Sequence, residues 1–193
     1  MKNKKTFFSI ALVFVLLIGG ATVLYRQLGK NIAAEQLATQ STNQSDESAA
    51  GETEQKIKAP DFTVYDADGN EVHLADYIGK PIVLNFWASW CGPCQSEMPD
   101  FHEKYLELGD DVHFLMINMT DGARETVESA SAFIAKNGYA FPVFYDTKSD
   151  AASIYGAYSL PTTFFIDAGG YAIAQATGAI DAETLQRGLD MIK

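Results

Sequence analysis

Apolar and polar positions alternate with a two-residue period in Phe62-Thr63-Val64-Tyr65 and again in Glu71-Val72-His73-Leu74, the pattern of half-buried strands. Asp66-Ala67-Asp68-Gly69-Asn70 lies between them, so the pair is expected to form a hairpin. That acidic string also invites a calcium reading, but its glycine comes too early for a helix–loop–helix ion loop. Residues 81–88 form an apolar run interrupted by Asn85, suited to a central strand buried on both faces. Met98, Phe101, Tyr105 and Leu108 then recur at helical spacing as far as Gly109. A second buried strand is expected over 112–119 and a helix over 124–136, stopped by Asn137-Gly138. A short strand follows over 142–145, a short helix over 151–155, and a hairpin of 162–166 with 171–174. A closing helix is expected over 181–191. Strands and helices in this order, with no internal repeat, predict an α/β sandwich around a mixed sheet.

The amino terminus obeys a different rule. Lys2, Lys4 and Lys5 precede a charge-free apolar run over 7–24. As a helix that run would be about 27 Å long, close to the hydrocarbon thickness of a bilayer. Residues 1–29 are therefore expected to be a cytoplasmic stub and a single transmembrane anchor, with the rest of the chain outside. A cleaved signal peptide is the competing reading. Its apolar core is usually shorter, and Gly19-Gly20-Ala21 is a poor cleavage site. Both readings export the domain. Residues 30–56, rich in Gln, Ser, Thr, Ala and Glu and without aromatics, are expected to be a flexible polar tether. Residues 57–193 remain as one domain, with 20 acidic against 8 basic residues. That balance, with no basic patch, argues against nucleic acid or anionic lipid heads as partners.

The chain has two cysteines, Cys91 and Cys94, inside Asn85-Phe86-Trp87-Ala88-Ser89-Trp90-Cys91-Gly92-Pro93-Cys94. A structural zinc site needs four ligands, and His73, His102 and His113 fall on separate elements, so no metal site is expected. Covalent haem needs a histidine after the second cysteine, where Gln95 stands. A passive disulfide over so short a loop would constrain the unfolded chain little. Redox exchange fits better. The motif joins a buried strand to a helix, so Cys91 sits where unpaired N–H groups favour a thiolate, and Pro93 fits the first turn. Cys94, one turn further on, is then the shielded resolving thiol. Trp90 is expected either to roof the site or to pack in the core, and Trp87 to be core. In Ser159-Leu160-Pro161-Thr162-Thr163 a proline precedes a strand. A cis Leu160–Pro161 bond is expected there, against an ordinary trans strand-entry proline. It would leave the Leu160 N–H and C=O free for an extended partner.

WCGPC after a buried strand, with SLPTT before a hairpin, resembles the thioredoxin fold. The longer pattern of Trp90, Cys91, Cys94, Glu97 and Pro99 resembles the TlpA/ResA-like membrane-anchored thioredoxins, over residues 57–193. That likeness includes an inserted helix and strand between Met119 and Pro161. It implies thiol–disulfide exchange through Cys91 and Cys94 outside a bacterial membrane, with no further cofactor. It also implies substrate contacts at Trp90, Gly92, Pro93, Leu160 and Pro161. Electrons would come from a membrane thiol transporter and pass to exported proteins such as apocytochromes. One position departs from cytoplasmic thioredoxins, which carry a buried aspartate where this chain has Asn85. Glu97 is then the candidate proton acceptor for Cys94, against a plain solvated acid favoured by the helix dipole. A peroxidase of the related redoxin type is the alternative enzyme. It would need a hydroxyl where Ala88 stands, and Arg124 to bind the peroxide. A binding module with idle thiols is the third reading.

Overall fold

The computed structural model describes residues 37–39 and 56–193, so the apolar run over 7–24 and most of the expected tether lie outside the described residues. The strands are β1 (Leu37–Thr39), β2 (Ile57–Lys58), β3 (Thr63–Tyr65), β4 (Glu71–His73), β5 (Ile82–Trp87), β6 (His113–Asn118), β7 (Val143–Tyr145), β8 (Thr162–Ile166) and β9 (Tyr171–Thr177). The α-helices are α1 (Gly92–Leu108), α2 (Val127–Asn137), α3 (Asp150–Tyr155) and α4 (Ala182–Ile192). All strands join one sheet in the order β1-β9-β8-β5-β6-β7-β3-β4, with β2 also on β9. β5, β6 and β7 are parallel and the remaining pairs antiparallel. This is the thioredoxin-like α/β arrangement, with α2 and β7 as the insertion before the proline loop.

Every residue of β5 is buried, as its apolar run requires. Alternate side chains serve two cores. Val83 and Trp87 pack with Phe101 of α1 and Leu185 and Leu189 of α4, while Ile82, Leu84 and Phe86 meet Leu74, Phe144 and Phe164 on the other face. Burying each such side chain is worth roughly 1.5–3 kcal/mol, so β5 anchors the site that follows it. At Gly188, α4 rests so closely on β8 that an added Cβ would run into the ring of Phe165.

Three boundaries differ from expectation. α2 begins at Val127 instead of 124, because Oδ1 of Asp121 accepts the N–H groups of Ala123, Arg124 and Glu125 at 2.8, 2.8 and 2.9 Å. Those bonds hold a turn, and Thr126 caps the helix by accepting from the Ser129 N–H at 3.1 Å. β9 extends to Thr177, since both of its sides are paired. Leu37–Thr39 depart from the expected tether: they pair with β9 in the register Leu37↔Ala176, and Leu37 packs against the core. Open edge groups on β9 supply the hydrogen bonds that local composition cannot reveal. The acidic string of the first hairpin serves its own turn. Oδ1 of Asp66 accepts from the Asp68 and Asn70 N–H groups at 2.9 and 2.8 Å.

Candidate active site

β5 ends at Trp87, and four residues later Cys91 becomes the N-cap of α1. The Cys91 N–H donates to the carbonyl of Ala88 at 3.1 Å, which closes the turn. Sγ of Cys91 accepts the Cys94 N–H at 3.2 Å, so the sulfur takes the place that a serine or aspartate oxygen fills at other helix starts. Cys91 and Cys94 form a disulfide. Cys94 is fully buried, and Cys91 retains slight exposure. Pro93 lies in the first turn, where its missing N–H has no partner to lose.

Cys91 opens on a groove of about 540 Å³. Trp90, Cys91, Gly92 and Pro93 line it together with Met119, Arg124, Tyr158 and Leu160. The Leu160–Pro161 bond is cis. The Pro161 carbonyl accepts from the Gly178 N–H at 2.9 Å, whereas the Leu160 N–H and C=O make no hydrogen bond among the described residues. Trp90 is 41% exposed, with the Arg124 guanidinium 3.5 Å from its ring centroid, so it stands at the groove and not in the core. Trp87 is buried against Phe133.

Glu97 is 2% exposed on the buried side of α1. Its Oε1 accepts from Nδ2 of Asn85 at 2.8 Å and its Oε2 from the Ile180 N–H at 3.0 Å. Burial pushes its carboxyl up to about 7, and the two hydrogen bonds only partly oppose that. The reading of Glu97 as a solvated helix-start acid is therefore set aside. Asn85 also donates to Oγ1 of Thr163 at 3.0 Å. Pro99 lies inside α1.

The structure brings the predicted residues together at one end of the sheet, and it adds others. Glu125, buried in the connection between β6 and α2, accepts from the N–H and hydroxyl of Ser89 at 2.9 and 2.7 Å. Nothing local marks this residue, because 36 positions separate the partners. Tyr158, 80% exposed, was missed as well, although its place near Pro161 gave a clue. The histidines stay apart from the sulfurs: His102 packs on Tyr139 and Phe141, and His113 on Tyr77.

A family model described as AhpC/TSA family matches residues 56–173. Thiol-disulfide oxidoreductase ResA of Geobacillus thermodenitrificans is 37% identical over 136 residues, covering 70% of this chain and 76% of that protein. Among solved structures, a DsbF homologue from Corynebacterium diphtheriae superposes with a TM-score of 0.64 at 27% identity, covering 79% of this chain and 98% of the other. The pneumococcal exposed lipoprotein thioredoxin Etrx1 from Streptococcus pneumoniae gives 0.58 at 33% identity, covering 68% of this chain and 98% of the other. Fold, dithiol and relatives agree on the class of thioredoxin-fold thiol–disulfide oxidoreductases. Within the AhpC/TSA family, the chain belongs to the ResA/TlpA-like group.

Proposed function

We propose that the protein reduces disulfides of exported proteins outside the cytoplasmic membrane. The observation that carries this reading is the Cys91–Cys94 pair at a helix start, beside the unpaired backbone of Leu160. In the dithiol form, the Cys91 thiolate attacks a substrate disulfide, forms a mixed disulfide and releases one substrate thiolate. The Cys94 thiol then gives up its proton and attacks Sγ of Cys91, which releases the second thiolate. Two electrons reach the substrate, its two thiolates take one proton that came from Cys94 and one from solvent, and the enzyme is left as the disulfide. Glu97 takes the Cys94 proton, directly or through one water, and its raised pKa suits that role near neutral pH. Trp90, Gly92, Pro93, Leu160 and Pro161 hold the substrate segment, with Leu160 pairing to its backbone.

The lysines before the apolar run over 7–24 support a membrane anchor with the domain outside. A membrane thiol transporter would re-reduce the dithiol, and apocytochromes are one class of exported protein offering suitable cysteines. Gly92-Pro93 brings no cation to the dithiol, which supports a reducing potential near about −270 mV over an oxidising one near about −120 mV. A measured potential above about −150 mV overturns that direction. Reduction of insulin, set beside consumption of peroxide, tests the reading against the peroxidase favoured by Arg124 at the groove. Trapping with Cys94→Ser identifies the substrates. Protease added to spheroplasts is expected to release the domain, and a mature soluble form starting near residue 30 would instead indicate cleavage.

A further inference from the structure

Two consecutive residues of the cysteine loop are held by two consecutive residues of the β6–α2 connection. Ser89 gives its N–H and hydroxyl to the carboxylate of Glu125 at 2.9 and 2.7 Å, and Trp90 lies against the guanidinium of Arg124, 3.5 Å from the ring centroid. Glu125 is fully buried and takes a third hydrogen bond from Nδ2 of Asn118 at 2.7 Å. Oδ1 of Asn118 in turn accepts from the Thr120 hydroxyl at 2.6 Å. Displacing any of these donors would leave a buried acceptor short of a partner, so the clamp is rigid. The backbone of Arg124 is fixed as well, since its N–H donates to Oδ1 of Asp121 at 2.8 Å. Among the described residues no carboxylate forms an ion pair with Arg124. In so acidic a domain, its guanidinium is spent on the indole.

The groove thus has Trp90 held in place by Arg124, and Tyr158 and Leu160 also line it. An extended segment with a bulky apolar side chain beside its cysteine would reach these lining side chains, whereas a small disulfide has nothing to place against them. Resting on the disulfide-exchange reading above, we propose that Arg124 is a specificity-determining residue. Backed by the Glu125 clamp, it pins Trp90 as a groove wall and selects polypeptide disulfides with bulky apolar neighbours over small disulfides.

The test compares the full chain with Arg124→Ala, Arg124→Lys and Glu125→Gln in reducing insulin and hydroxyethyl disulfide. One exposed cation–π contact corresponds to about a three- to fivefold effect. Arg124→Ala is expected to raise KM for insulin by about that factor. Its loss of kcat/KM on the small disulfide should be at least about twofold smaller than on insulin. Arg124→Lys keeps a cation over the ring and restores most of the difference. Glu125→Gln offers only one acceptor oxygen to the Ser89 and Asn118 donors, and is expected to produce the same selective loss. Of the two tryptophans, Trp87 is fully buried, so acrylamide quenching of emission reports Trp90. Quenching should rise in Arg124→Ala and less in Arg124→Lys. Equal losses on both substrates, or unchanged KM with unchanged quenching, overturn the proposal. If the parent reduces neither disulfide, the exchange reading falls, and quenching alone decides whether Arg124 holds Trp90.

Discussion

Nδ2 of Asn85 lies 2.8 Å from Oε1 of Glu97, while Oδ1 of the same side chain is buried without a hydrogen-bond partner. An asparagine in this place can serve both charge states of its neighbour. Its N–H donates to a carboxylate, and after reversal of the amide its oxygen accepts from a carboxylic acid. Aspartate at the same position would instead set a second acid against the first. The pair thus offers Oε1 of Glu97 a hydrogen-bond partner in either charge state, one helical turn from Cys94.

Glu97→Gln is expected to slow thiol exchange by about 10²-fold, the usual loss with a positioned base. The parent rate should rise with pH through about 7 as Glu97 ionises. In the variant that rise should shift towards the ordinary thiol range near about 8.5. Stopped-flow exchange across pH 5.5–9 reads both effects. A variant matching the parent in rate and profile would show that the proton goes to water.

Stability gives an independent readout on the same carboxyl. Its value of about 7 in the folded protein lies above the ordinary 4.5, so the folded chain holds this proton more tightly than the unfolded chain. The associated stability is complete below about 4.5 and is lost as pH rises through about 7. By linkage the whole loss is roughly 3 kcal/mol. Urea unfolding of the oxidised protein should therefore find Glu97→Gln gaining on the parent between pH 5 and pH 8. Parallel pH curves for the two proteins would refute the assignment.

Reduced protein treated with a bulky alkylating agent at neutral pH should be modified at Cys91 first. Cys91 keeps some exposure at the groove and lies at the helix N-terminus, whereas Cys94 is fully buried. Peptide mass mapping decides the order, and initial labelling of Cys94 would exchange the two roles.

Gly188→Ala should destabilise the domain by about 1–3 kcal/mol, because its methyl group would meet the aromatic ring of Phe165. Thermal melting checks this. An unchanged midpoint would mean that α4 can lift from β8 without loss.

Period and punctuation in the sequence carried most of the fold. The buried run of β5, the helical spacing from Met98 to Leu108 and the stop at Gly138 are local signals, and each element formed. The start of α2 was misplaced because Asp121 collects three N–H groups and holds the chain in a turn that helical periodicity does not register. Leu37–Thr39 looked like linker because their partners lie on β9, far along the chain. In the site, WCGPC and the Leu160–Pro161 turn carried their own chemistry. Glu97 was legible as a candidate, but its burial depends on Ile180, 83 positions away. Glu125 had no such clue, for an acid near a helix start ordinarily faces water.

The strands at the margins of the sheet are short: β1 and β4 have three residues each and β2 has two. Short margins offer a foreign chain little length along which to zip. A protein that handles incompletely folded clients is otherwise at risk of being recruited into their aggregates through its own sheet. Here the main-chain groups of Leu160, without hydrogen-bond partners among the described residues, line the same groove as Cys91, so under the proposed function a client strand would dock where its disulfide is opened. Capture without chemistry is disfavoured by the same short margins that close the sheet.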